Sequence, residues 1–281
     1  RTGRRISGLS GISGLLAAAA WLAATTAPNI SSAHPTDPAR SGFRRYAVEQ
    51  GLSQGTINAV MQSHRGFIWI GTYDGLNRFD GVDFRSFRHD PGDPRSLSDS
   101  WIISMREDDR RRLWIGTAGG LNQLDRRTGT FRRYTIAGPD GRPSLSYSVE
   151  TMWPTPGGGA PLVLVSGVGF ASVDTVAGTL RMIRADTPGP PPPPADPASR
   201  RWISTPRRVY AFDAEAGRIT PLREFTEDDV LCVTPAGDGD LFVGRWSGLF
   251  LMDARTGEAS EIEDLPPTRA IEPDGRGGFW L

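Results

Sequence analysis

A thirteen-residue phrase that the chain writes twice restricts its fold more than any other feature. It reads Ile68-Trp69-Ile70-Gly71-Thr72-Tyr73-Asp74-Gly75-Leu76-Asn77-Arg78-Phe79-Asp80 and returns as Leu113-Trp114-Ile115-Gly116-Thr117-Ala118-Gly119-Gly120-Leu121-Asn122-Gln123-Leu124-Asp125. Each copy predicts a short apolar strand, a glycine-bearing turn and a second strand of alternating character. The aromatic and β-branched residues suit a half-buried pleated surface, and the glycines supply positive φ at the turn. One such hairpin cannot bury both of its faces, so a chain that repeats it must stack the copies.

Aligning on the tryptophan places Trp69, Trp114, Val163, Trp202, Phe242 and Trp280 in register, 38 to 49 residues apart. The third copy, Leu162 to Asp174, and the fifth, Leu241 to Asp253, align with the second without a gap. This puts Val163 in the tryptophan's place and Val165-Ser166 in place of Gly-Thr. The fourth copy is worn but keeps the distance from Trp202 to Asp213. A β-like run precedes each phrase (57–62, 101–106, 149–153, 230–234, 268–272), and a further strand follows the closing Asp turn, as at 130–135 and 259–263. Four strands per unit of about forty residues is the size of one propeller blade. The expected class is therefore all-β, a β-propeller of four-stranded blades. Five units and the start of a sixth are present, because Gly278-Phe279-Trp280-Leu281 falls inside the sixth copy, and the chain is expected to be a piece of a longer protein. Helical or leucine-rich repeats have other periods, and a sandwich would not repeat whole phrases.

Gly51-Leu52-Ser53, the Trp-Ile-Gly-Thr strand and Gly-Leu-Asn-Arg-Phe-Asp together resemble the two-component regulator propeller family, strongly in the first two units and loosely in the middle. The resemblance implies a propeller that usually closes at seven blades. It further implies the periplasmic sensor of a membrane-spanning histidine kinase, hybrid kinase or diguanylate cyclase. Its partners would be the protein's own downstream transmembrane and output domains and a second protomer in a homodimer, and its location the periplasm, tethered to the inner membrane.

The N-terminus agrees with export. Arg4 and Arg5 precede an apolar stretch densest from Leu15 to Ala24, and Ser31-Ser32-Ala33 has the small residues of a cleavage site. Residues 1–33 are expected to be a signal peptide or an N-terminal membrane anchor, 34–42 a linker, and 43–281 the incomplete propeller. A proline-rich insertion at 188–197 falls where the fourth unit's first strand is due. Proline lacks the N–H for a central ladder, which leaves that blade three good strands.

Thirty-two basic residues, every one Arg, balance thirty-two acidic ones, so no net field attracts nucleic acid. The single Cys232 sits in an apolar run and reads as a buried thiol. His34, His64 and His89 lie in loops with no nucleophile motif nearby, Asp108-Asp109 reads as a solvated turn, and no cofactor or metal motif occurs. No catalytic role is expected for these residues. The repeated tryptophans read as packing between sheets. If the Trp strand is second of four, the following turn and the connection between units share one rim. Tyr73, Asp74, Trp101, Arg245 and Trp246 would meet a small polar or saccharide-like ligand there, joined by loops 88–100, 136–147 and 223–229. A propeller enzyme of the streptogramin lyase type, with His89 as its base, and a secreted scaffolding propeller are the alternative readings.

Overall fold

The computed structural model describes residues 5–6, 45–137, 141–186, 188, 200–237, 239–263, 265, 267–268, 270–273 and 279–280. The predicted leader and linker, apart from Arg5 and Ile6, lie outside the described residues, as does nearly all of the proline-rich insertion. Among the described residues no helix is long and apolar enough to cross a membrane.

The chain folds as successive antiparallel sheets in the manner of a β-propeller. Sheet 1 comprises Ile57–Gln62, Ile68–Thr72, Gly75–Phe79 and Phe84–Phe87, in that order. Sheet 2 repeats it with Ile102–Glu107, Leu113–Thr117, Gly120–Asp125 and Thr130–Arg133. Sheet 3 runs Val149–Trp153, Leu162–Val165, Gly169–Asp174 and Thr179–Met182. Sheet 4 shows three described strands, Arg200–Thr205, Arg208–Asp213 and Arg218–Glu224. Sheet 5 has four, Val230–Gly237, Asp240–Arg245, Leu249–Asp253 and Ala259–Ile262. A last small sheet pairs Phe279–Trp280 with both Glu272–Pro273 and Arg5–Ile6.

The core lies between sheets. Trp69 and Leu76 of sheet 1 bury against Ile102, Leu113 and Ile115 of sheet 2. Trp114 and Leu121 then face Val149, Val163 and Val165 of sheet 3. Each second strand thus sends alternate side chains to opposite neighbours, as period-two geometry requires. Trp69 and Trp114 are 2% and 0% exposed, the packing role the repeat predicts.

The two glycines of the phrase have different reasons. Gly75 and Gly120 adopt φ of 126° and 132° at the hairpin turn, a conformation L side chains avoid. Gly71 and Gly116 are extended and needed for their bareness. A Cβ at Gly116 would lie 2.5 Å from Ser104 Oγ and 2.8 Å from Val149 Cγ1, and one at Gly71 would lie 2.5 Å from Ile102 Cγ2. Gly244 repeats this in sheet 5, with the Thr268 carbonyl oxygen 2.3 Å from the notional carbon. The first strand of the next sheet, or the chain leading into it, occupies that space.

The third unit departs from the gapless alignment. Val165 pairs with Gly169, whereas Thr117 pairs with Gly120, so the third hairpin has a three-residue loop, Ser166-Gly167-Val168, in place of two. The extra residue shifts the strand by one position. Leu162, not Val163, holds the tryptophan's place, and Leu164 holds that of the bare glycine. Val163 faces back to sheet 2, while Leu162 and Leu164 face sheet 4 with Phe170, Ile203, Tyr210 and Phe212. One inserted residue exchanges the faces of a strand.

Connections between sheets also clasp the neighbour. Thr135–Ala137, leaving sheet 2, adds in parallel to the outer strand of sheet 3 (Thr135 beside Thr179), and Pro143–Ser144 pairs with it in turn. Ala185, leaving sheet 3, bridges Ile219 of sheet 4 in the same sense. Part of the 136–147 connection, expected at the rim, therefore covers an outer sheet edge.

Candidate ligand-binding rim

The rim begins with a latch that the repeated phrase builds twice. In the first unit the Ser53 N–H donates to Asn77 Oδ1 at 2.9 Å, and Asn77 Nδ2 donates to Ser53 Oγ at 2.8 Å. The Ser53 hydroxyl meets Thr72 Oγ1 at 2.9 Å. Ser98, Asn122 and Thr117 reproduce these three distances. Thr72, Asn77, Thr117 and Asn122 are fully buried, so these bonds have no competition from water. Leu52 and Leu97 plug the loop from below, at 4% and 0% exposure. The Leu-Ser pair, the Thr and the Asn are therefore one device that fastens the incoming loop to the hairpin.

Above the latch stand three of the five predicted residues. Tyr73, in the first hairpin turn, and Trp101, at the entry to sheet 2, meet edge to face with ring centroids 4.9 Å apart. They are 46% and 44% exposed. The Ser100 carbonyl accepts from Gly75 N at 2.7 Å, and Trp101 N donates to Asp99 Oδ1 at 2.7 Å, which fixes the loop carrying the indole. Asp74 is paired with Arg88, whose Nε lies 3.2 Å from Asp74 Oδ2. The result is an open aromatic step beside a carboxylate and a guanidinium, chemistry that suits stacking and hydrogen bonding to a polar ring.

The other two residues belong to sheet 5. Trp246 is 47% exposed in its hairpin turn. Arg245, by contrast, is only 5% exposed: it pairs with Asp228 and is sandwiched by Phe225 and Phe250, 4.6 and 4.9 Å from the ring centroids. It stands where the first units have Thr72 and Thr117, and Phe250 where they have Asn77 and Asn122. Asp228 also accepts from Ser247 N, so the ion pair replaces the hydroxyl–amide latch as the loop fastener. Arg245 thus serves the fold beneath the rim, a role its position in the turn did not reveal.

Asp108, expected in a solvated turn, is buried at 8% exposure. Its Oδ2 accepts from Trp114 Nε1 at 2.8 Å and Arg112 Nε at 2.6 Å. The signal was its place six residues before the tryptophan. His89 is held in its loop, with Nδ1 2.6 Å from the Leu97 carbonyl, and Arg133 reaches both. Among the described residues no group of three or more His, Cys, Asp or Glu converges. Cys232 is half-buried, and burial raises its thiol pKa, so it stays protonated.

Residues 51–74 and 96–119 match the family model "Two component regulator propeller". Both matches span the Leu-Ser and Thr parts of the latch. A stretch of 56 residues, 20% of the chain, is 41% identical to histidine kinase P4 of Formosa agariphila and spans 4% of that protein. In fold, the chain is similar to the extracellular domain of a putative hybrid two component system from B. thetaiotaomicron (TM-score 0.61, 22% identity), over 84% of this chain and 33% of that one. It is also similar to virginiamycin B lyase from Staphylococcus aureus (TM-score 0.53, 14% identity), over 76% of this chain and 72% of the enzyme. The chain thus spans about a third of the first solved structure and a small fraction of the kinase.

Proposed function

The opening parts of the first two units match the two-component regulator propeller model, and on that premise we propose that this chain is the ligand-sensing propeller of a transmembrane signalling protein. The observation that carries the sensing role is the exposed Tyr73–Trp101 step. It stands on a repeated phrase whose Trp69 and Leu76 are turned inward to hold the sheets together. A small polar or saccharide-like molecule would stack on that step, with Asp74 and Arg88 taking its hydroxyl or charged groups. Arg245 is not part of this surface, and Trp246 is a separate exposed ring on sheet 5. The described residues serve binding, not catalysis. The chain works outside the cytoplasm, and paired protomers pass the change in packing to domains further along the protein.

Thermal unfolding of the chain against a panel of oligosaccharides and small polar metabolites tests the reading. A ligand held at 100 times its Kd stabilises the fold by about 2.7 kcal/mol. Tyr73→Ala and Trp101→Ala should each abolish that gain while leaving the ligand-free midpoint nearly unchanged, because both rings are already half in water. A ligand that stabilises both variants as well as the parent would remove the rim from consideration.

A further inference from the structure

On the edge opposite those hairpin turns, between sheets 1 and 2, lies a cleft of about 100 Å³ with an unusual lining. Arg65, Arg78, Arg85, Arg126 and Arg127 all border it, together with Trp69, and no carboxylate does. Like charges that close together repel unless something compensates them. Of the carboxylates nearby, Glu107 pairs with Arg126 Nη2 at 2.9 Å and is shared with His64, and Asp80, beside Arg78, turns its Oδ1 to the Val82 and Asp83 N–H groups. Asp125, beside Arg127, directs its Oδ1 to the backbone N–H groups of Arg127 and Thr128. Three donors of residues that border it are buried without a hydrogen-bond partner among the described residues: Arg78 Nε, Arg126 Nε and the indole Nε1 of Trp69. Trp69 is 98% buried, being 2% exposed, so water outside the cleft does not reach that N–H.

The same place between sheets 2 and 3 shows what is missing. There Trp114 Nε1 donates to Asp108, which also takes Arg112, and Gln123 accepts the Tyr134 hydroxyl at 2.7 Å. Three substitutions separate the two places, one of them Phe67 where sheet 2 has Arg112. Ser63 stands where sheet 2 has Asp108, and Arg78 where it has Gln123. Ser63 Oγ donates instead to the Phe67 carbonyl and leaves the indole alone. The carboxylate that accepts the indole N–H is gone, and the guanidinium beside it has moved from the Arg112 place to the Arg78 place, around a tryptophan in the same position.

We propose that this cleft binds a tetrahedral oxyanion, a phosphate or sulfate group, which takes the part that Asp108 plays in the next sheet. The oxyanion would accept from the Trp69 indole and from the Nε edges of Arg78 and Arg126, the guanidinium face that meets oxyanions in two parallel hydrogen bonds. Arg78 is braced over the Phe67 ring at 4.6 Å and Arg85 over the Phe87 ring at 4.9 Å, so both are partly oriented in advance. Burial lowers the Arg126 pKa, the Glu107 charge opposes that, and Arg65 adds to it; a bound anion would relieve the strain on the charged form. At about 100 Å³ the cleft takes a single small group, well below the roughly 300 Å³ at which pockets for larger ligands begin. The anion is thus either free in solution or one substituent of a larger molecule that stays outside.

The test is an indole ¹H–¹⁵N spectrum of the ¹⁵N-labelled chain, in which the Trp69 signal is identified by its loss in Trp69→Phe. Inorganic phosphate and inorganic sulfate are added separately, each against sodium chloride at matched ionic strength. The Trp69 indole resonance should move saturably with one or both oxyanions, and the Trp114 resonance should stay in place. Whichever of phosphate and sulfate saturates at lower concentration is the preferred oxyanion. Arg78→Met, which keeps the stem over Phe67, should raise the saturating concentration at least tenfold. A Trp69 resonance that ignores both oxyanions, or follows chloride equally well, overturns the proposal without recourse to any variant. So does an unchanged titration in Arg78→Met.

Discussion

The interface between sheets 2 and 3 and the interface between sheets 3 and 4 place opposite residues at the same point of the strand. On the first, Gly116 has no side chain because Ser104 and Val149 pass within 2.5 and 2.8 Å of where its Cβ would be. On the second, Leu164 holds the equivalent position and is buried with Ile203, Tyr210 and Phe212 from the second and third strands of sheet 4. The residues where sheet 4 would have a first strand include the proline run. The glycine is therefore a response to the neighbour. Where the first strand of the next sheet runs close, the motif glycine is required, and where the described neighbours are Ile203, Tyr210 and Phe212 a large apolar residue fills the position.

Reversing the two residues gives the largest effects. Leu164→Gly restores the repeat's usual letter, yet it should destabilise the chain by about 2–5 kcal/mol, the range for emptying a buried leucine site. Gly116→Ala should cost about 1–3 kcal/mol through overpacking, since Ser104 and Val149 both belong to sheet strands that cannot move far. Urea unfolding of the two variants reads both numbers. A stabilised Leu164→Gly variant would mean that the consensus, and not the neighbour, decides this position.

A second contrast separates the latches. Sheets 1 and 2 fasten their loops with buried Ser, Thr and Asn, and sheet 5 uses Arg245, Asp228 and two phenylalanine rings. In sheet 2, Asn122→Ala strands the Ser98 N–H inside the protein and should cost about 1–3 kcal/mol, the usual desolvation penalty of one buried donor. Thr117→Val should add little on top of it, because the two substitutions break one network. Additive losses would show instead that the three side chains act separately.

These contrasts also mark what could be read from the chain alone. The hairpins of sheets 1, 2 and 5 were legible because each has a two-residue turn and the strand period carries through it. Sheet 3 was misread by one residue because Gly169 still aligns with Gly120, and an inserted loop residue leaves no trace in composition. Tyr73, Asp74 and Trp101 were legible as neighbours because turn and connection had to share a rim. Arg245 and Asp108 were not, since burial of a charged residue depends on a partner distant in sequence. Asp228 lies 17 residues before Arg245, and Phe225 flanks it from the connection between sheets 4 and 5 and Phe250 from a strand of sheet 5. The arginine cleft was hidden for the same reason, its lining coming from strands and turns of two sheets.

The smallest effect is expected where the two interfaces do not differ. The Asp that ends the phrase turns its Oδ1 onto two backbone N–H groups in sheet 2 and again in sheet 3. Asp125 accepts from Arg127 and Thr128, and Asp174 from Val176 and Ala177. Those bonds favour the charged carboxylate, so both pKa values are held below the ordinary 3.8, by the Arg127 N–H first at Asp125 and by the Ala177 N–H first at Asp174. A folded pKa below the unfolded one contributes stability above 3.8 that is lost as pH falls through the folded value. Asp125→Asn and Asp174→Asn keep an acceptor but remove the charge, so each should flatten the acid limb of the stability curve, read as the urea midpoint between neutral pH and pH about 2. The Asp174 change should be the larger, because Asp174 Oδ2 also accepts from Arg181 Nη2 at 2.6 Å, and that ion pair holds its pKa down beside the two backbone bonds. Equal changes would show that the exposed ion pair adds nothing, and that the turn alone sets the acid limb.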